Sequence, residues 1–136
     1  VEKTMSDIKE IRAIIRREKF EDVKNALSEI GIVGLNVTEV RGRGRGAGMT
    51  VHGRTGDYTI DLLPKTMVTI VLSERNLQET INTIKKAAFT GEAGDGVIFV
   101  YPVENVIRIS TDEEGHQALM YQGDIDTRRR HANGAK

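Results

Sequence analysis

Two glycine-bearing segments hold the residues best suited to chemistry. The first is Gly42-Arg43-Gly44-Arg45-Gly46-Ala47-Gly48. Glycine lets backbone amides approach an anion closely, and arginine offers paired N–H donors to phosphate. The segment fits neither nucleotide fingerprint: Ala47 and Met49 stand at the third-glycine positions, and no Gly-Lys-Ser/Thr follows. By itself it reads equally well as a solvated loop. The second segment is Thr90-Gly91-Glu92-Ala93-Gly94-Asp95-Gly96. Its glycines around an aspartate make a tight turn with exposed amides, which a plain helix-to-strand connection also explains. Lys65, after Leu62-Leu63-Pro64, reads as a surface charge. His52, His116 and His131 are scattered without metal-ligand spacing, and no nucleophile pairs with a histidine and an acid. The residues therefore point to binding, not to catalysis.

The 136 residues suit one domain with a single core. Twenty basic and twenty acidic side chains balance, so no global field draws the chain to nucleic acid or to a membrane surface. Cysteine is absent, which removes disulfides and thiolate metal sites and fits a reducing compartment. The first nine residues carry no apolar run of signal-peptide type, and no stretch reaches the ~20 apolar residues of a membrane helix. A soluble, cytoplasmic protein is expected. The lack of tryptophan leaves base-stacking surfaces scarce.

Hydrophobic periodicity supplies the scaffold. Ile8 to Arg16 alternates as a strand, with Ile11, Ala13 and Ile15 on one face. Phe20, Val23, Leu27 and Ile30 then recur at helical spacing, and Gly31 marks a stop. Val33 to Arg41 reads as a strand, and residues 42–57 lose the apolar pattern and read as a long functional loop. Tyr58 to Leu63 is extended, Pro64 interrupts it, and Thr66 to Leu72 resumes. Ser73 or Asn76 caps a second helix carrying Leu77, Ile81, Ile84 and Ala88. Val97 to Val100 is a short strand, and Val103 to Ile109 a further extended piece. Strand, helix, strand, strand, helix, strand is the ferredoxin-like βαββαβ order of an α+β fold, with helices on one face of an antiparallel sheet. Ile14 and Ile70 lead to an expectation of self-association over the other face. Residues 112–136 read as a polar, mobile extension.

Taken together, Ala13-Ile14-Ile15-Arg16, Gly31 and Gly34, Val37 to Arg45, Tyr58 to Lys65, Thr90 to Gly96 and Val106-Ile107-Arg108-Ile109 resemble the PII signal-transduction family, over about Ile11 to Thr111. The resemblance implies a domain over residues 8–111 that forms a homotrimer, with a protruding T-loop at about 43–57 and a B-loop at about 90–97. It implies a regulator, not an enzyme: ATP and ADP compete for clefts between subunits, magnesium-ATP supports 2-oxoglutarate binding, and ligand state reshapes the T-loop that engages targets. A target such as an ammonium transporter or a metabolic enzyme of nitrogen assimilation follows.

Position by position, Ile14, Gly42, Gly44 and Arg45 match nucleotide contacts at the T-loop base. Gly94, Asp95, Gly96 and Val97 match the phosphate-binding B-loop. Gly34 and Arg108 match contacts from the neighbouring subunit, and Lys65, with Gly48, matches 2-oxoglutarate positions. Tyr58 aligns with a tyrosine that some members modify, although Arg54-Thr55-Gly56-Asp57 departs from the usual signature and a structural tyrosine fits as well. Three departures bear on ligand choice. Gly46 replaces a magnesium-ligating glutamine and offers no side-chain oxygen. Val97 and Ser110 each replace a basic residue that meets phosphate. The expectation is a weakened preference for ATP, with ADP or AMP bound as well or better, and a poor 2-oxoglutarate response. A specialised relative of carboxysome-associated PII-like proteins, reading ADP, AMP or bicarbonate, is the alternative. An RNA-binding module built on Arg43, Arg45, Arg54 and Arg128 to Arg130 is the alternative of another class.

Overall fold

The computed structural model describes residues 7–43, 49–60 and 62–132. Strand β1 (Ile8–Ile15) leads through a 3-10 turn into helix α1 (Phe20–Glu29), followed by β2 (Asn36–Gly42). A hairpin of β3 (Met49–Gly53) and β4 (Gly56–Ile60) precedes the long strand β5 (Leu63–Ser73). Helix α2 (Leu77–Ala88) and strand β6 (Gly96–Pro102) complete the domain, and α3 (His116–Leu119) and α4 (Ile125–Ala132) follow.

The main sheet runs β2-β5-β1-β6, antiparallel throughout. This is the expected ferredoxin-like arrangement, with the hairpin inserted between its second and third strands. Alternation in β1 and β5 places Ile11, Ala13, Ile15, Val68, Ile70 and Leu72 on one face, where α1 contributes Val23 and Leu27 and α2 contributes Ile84 and Ala88. The acids of the first α1 turn, Glu21 and Asp22, sit where the helix dipole favours them. Ile70 belongs to this core and not, as expected, to the opposite face, because it pairs with Ile11; on that opposite face Ile14 lies between Met67 and Val97, and Phe99 and Tyr101 remain exposed along β6.

Four local expectations change. The long loop contains an ordered hairpin, turned at Arg54 and Thr55. Pro64 does not break its strand: it pairs with Arg41 of β2 and lies beyond the last β1 pair, Ile15 with Thr66, where no second ladder needs its missing N–H. Residues 103–109 form no strand and make only an isolated bridge from Ile107 to Glu114. Both proposed caps occur in sequence, Ser73 before a 3-10 turn and Asn76 before α2, but neither uses its side chain as a cap.

The largest difference concerns the extension. In place of a mobile tail, residues 116–132 form α3 and α4 and pack against the domain. Ile125 is buried in the core cluster. Gly31, at φ +91° just past α1, permits this approach: a Cβ there would come within 2.6 Å of the Ile125 nitrogen, and the Gly31 carbonyl accepts the Ile125 N–H at 2.9 Å. Buried Asp126 accepts hydrogen bonds from Arg75 Nε at 2.8 Å and Asn76 Nδ2 at 3.1 Å, while Arg129 Nε donates to Asn76 Oδ1 at 2.9 Å. Asp124 caps α4 through Thr127 N–H at 2.9 Å and receives Tyr121 N–H at 2.6 Å. Burial pushes the Asp124 carboxyl up, but these backbone N–H groups outweigh it and hold the carboxyl below its usual range. The sequence hides this packing because one isoleucine anchors the helix and its other buried groups are charged. Replacing Ile125 with alanine is expected to cost about 2 kcal/mol and to free α4 selectively. Hydrogen exchange should show α4 amides losing protection while β1 and β5 keep theirs.

Candidate functional site

Three of the turn residues 90–96 have glycine-only geometry: Gly91, Gly94 and Gly96 have φ of +88°, +99° and +116°. The aspartate organises them. Asp95 Oδ2 accepts the backbone N–H of Thr90 at 2.8 Å and of Gly91 at 2.9 Å. Its Oδ1 accepts the Thr90 hydroxyl and, at 3.0 Å, Arg16 Nε. The Thr90 hydroxyl, its amide and the neighbouring donors hold the Asp95 carboxyl well below the usual carboxylate range. Arg16 also donates through Nη2 to the Ala93 carbonyl at 2.7 Å, and Lys65 Nζ donates to the Gly94 carbonyl at 2.6 Å. The turn is therefore a closed ring of donors and acceptors with two cations drawn over its rim. A Cβ on Gly94 would stand 3.4 Å from both Arg16 Nη2 and Lys65 Nζ. Glycine there keeps the cations close to the backbone.

The end of the sheet where β1 and β2 finish and β5 and β6 begin gathers most of the expected residues. Lys65 meets the turn of Gly94, Asp95 and Gly96 at the Gly94 carbonyl. Ile14 pairs with Val97, and Gly42 faces Lys65 Cγ, 3.9 Å from where its Cβ would be. Arg16 was missed as a site residue. Its partner is 79 positions away, and only the run Ala13 to Arg16 signalled it. Gly44, Arg45 and Gly48 lie outside the described residues, as does Gly46. Tyr58 pairs through its backbone with Val51 in the hairpin.

Gly34 and Arg108 belong to a second constellation, where β2 starts and β5 ends. The Arg108 guanidinium lies 4.9 Å from the centroid of the Tyr121 ring, donates to the Ala118 carbonyl at 2.7 Å and approaches Glu113 at 3.5 Å. The edge of the same ring comes within 3.8 Å of where a Cβ on Gly34 would be. A cavity of about 380 Å³ opens beside it, lined by residues 31–36, 69–73 and Tyr121 among others. An apolar groove of about 370 Å³ runs along the first constellation, between α2 and β6, with Ile81, Ile84, Phe89, Val97 and Val100 in its walls. Among the described residues no group of three histidine, cysteine or carboxylate side chains is arranged to hold a metal ion.

The family model described as "Nitrogen regulatory protein P-II" matches residues 8–113. The chain belongs to the nitrogen regulatory protein P-II family. It is 53% identical over 112 residues to nitrogen regulatory protein P-II 2 of Methanothermobacter thermautotrophicus, covering 82% of this chain and 97% of that protein. It is 46% identical over 112 residues to the P-II protein of Azospirillum brasilense, covering 82% of this chain and all of that one. Among solved structures it is similar to Arabidopsis thaliana PII bound to citrate, with a TM-score of 0.68, 37% identity, and coverage of 83% of this chain and 92% of that one. It is a P-II signalling protein of nitrogen regulation, a signal transducer and not a catalyst, as the lack of a nucleophile or metal pattern led one to expect. As a member of a family of regulators, it acts through target proteins and responds to effectors. Among the described residues no helix is long and apolar enough to cross a membrane. The family match ends at residue 113, so α3 and α4 lie beyond it.

Proposed function

We propose that this P-II protein works in the cytoplasm as a homotrimer that binds an adenine nucleotide in each inter-subunit cleft and passes its occupancy to target proteins through the segment at 43–57. The observation that carries this reading is the separation of the two constellations. The glycine-aspartate turn and Lys65 lie at one end of β5, and Gly34 with Arg108 at the other. One chain cannot close them on one ligand. A neighbouring copy can, and the surfaces suit that. Ile107 and Ile109 flank Arg108 and project into solvent, Ile109 with 97% exposure. The apolar groove beside Gly96 has Phe89 on its rim, 69% exposed. Seating the isoleucines of one copy in the groove of the next would carry Arg108 to the phosphate loop and repeat head-to-tail until the ring closes.

Ligand preference follows from charge. Val97 stands exposed beside Gly96 where a cation would meet phosphate, and Ser110 stands two residues after Arg108. With fewer cations, each added phosphate gains less, so ADP or AMP binds at least as well as ATP. Gly46 supplies no side-chain ligand for magnesium, so a 2-oxoglutarate response through Lys65 is weak. The target is a protein of nitrogen metabolism, such as an ammonium transporter or an assimilatory enzyme. Tyr58 is a candidate modification site in the hairpin strand, and intact mass from nitrogen-starved cells tests that role.

Native mass spectrometry with titration calorimetry tests the assembly and the site together. The native chain should be a trimer that binds ADP, and Ile109→Asp should shift it to monomers that no longer bind. A monomeric native chain that ignores ADP, AMP and ATP would falsify the reading.

A further inference from the structure

The cavity beside Gly34 has two walls of different origin. Residues 31–36 and 69–73 fall within the family match, whereas Leu119, Tyr121 and residues 124–126 come from beyond it. The second wall is built firmly. Tyr121 N–H donates to the buried Asp124, and its carbonyl accepts Asp124 N–H at 3.1 Å and the Thr127 hydroxyl at 3.2 Å. α4 is itself fixed by Ile125 and the Asp126 network. Tyr121 is 45% exposed, and its ring carries Arg108 at cation–π distance. Arg108 is oriented from the same segment by the Ala118 carbonyl.

An aromatic ring in the cavity wall, with an oriented guanidinium stacked on that ring, suits a planar base that carries phosphate. The volume lies near the lower end of the range for small-molecule sites. Tyr121 is the one aromatic residue in the lining. We infer that Tyr121 is a specificity-determining residue of the nucleotide site, with its ring serving as the stacking surface for the base of the nucleotide whose phosphate Arg108 reaches. This rests on the nucleotide reading above and assigns the extension a part in it. The C-terminal segment completes the binding wall that the rest of the chain leaves open.

The chain has three tyrosines and no tryptophan, so the difference in tyrosine emission between native protein and Tyr121→Phe reports on this ring. Full-length native protein, Tyr121→Phe and Tyr121→Ala are titrated with ADP by calorimetry and fluorescence, with circular dichroism confirming the fold. ADP should quench the native emission. Tyr121→Phe should bind ADP with near-native affinity but lose most of the quenching, and Tyr121→Ala should bind roughly tenfold more weakly. Equal affinity in Tyr121→Ala, or full quenching in Tyr121→Phe, overturns the assignment while leaving the nucleotide reading intact. Tighter binding in Tyr121→Ala also overturns it and makes the extension a cover over the cavity. A native chain that does not bind ADP removes both.

Discussion

Alanine at position 96 is expected to destabilise the domain by on the order of 4 kcal/mol, a large share of the stability of a domain this size. Gly96 has φ +116°, a region that side chains avoid, and its Cβ would fall 1.8 Å from the Ile14 carbonyl oxygen and 2.9 Å from the carbonyl carbon. Both atoms are backbone in the central strand β1, so no rotamer change relieves the clash. The first pairs between β6 and β1 must open, and the turn that Asp95 organises loses its downstream anchor. Urea denaturation should show a much lower midpoint for Gly96→Ala, and ADP titration should show binding lost with it. Gly115→Ala is the control. Its φ of +68° and ψ of −143° lie in a region nearly confined to glycine, but nothing lies within 4 Å of a new Cβ, so backbone strain of about 1–3 kcal/mol applies without the clash. Equal midpoints for the two variants would contradict the clash argument.

Asparagine at position 95 should disorganise the glycine-aspartate turn almost as fully as alanine. Each Asp95 oxygen accepts two donors, and all four are N–H or O–H groups with no reason to turn away. An amide replaces one acceptor with an NH2 group, which then faces either Arg16 Nε or the two backbone N–H groups, so the ring cannot close. Arg16 then loses its carboxylate partner, and the exposed amides lose their common direction. Affinity for ADP is expected to fall about tenfold or more in Asp95→Asn, with little change in the α1 and α2 core. Unaltered ADP affinity would show that the ordered turn is not part of the site.

The same network sets a pH dependence. Because the folded carboxyl is held below its ordinary value, its contribution is fully present above pH ~4 and is lost only as pH falls through the depressed folded value. Thr90 and Gly91 amide resonances should therefore stay constant from neutral pH down to about pH 4 and move only in stronger acid. In Asp95→Asn that acid transition should disappear.

The amino-acid sequence by itself determined the scaffold. Alternation in Ile8 to Ile15 and Thr66 to Leu72, helical spacing in Phe20 to Ile30 and Leu77 to Ala88, and the stop at Gly31 are local signals, because each reflects one element facing one core. The glycine-bearing turn at 90–96 was also readable as a turn, since its positive-φ positions are written as glycines. The tertiary structure decided what depends on residues far apart. It placed Arg16 on Asp95 and Lys65 on Gly94. It let β5 run through Pro64, where β1 no longer pairs. It also seated α4, where buried Asp124 and Asp126 look like solvated charge until Asn76, Arg75 and Gly31 are brought beside them. A charge reads as exposed in a linear chain because its partner is unknown, and only packing supplies the partner that makes its burial affordable.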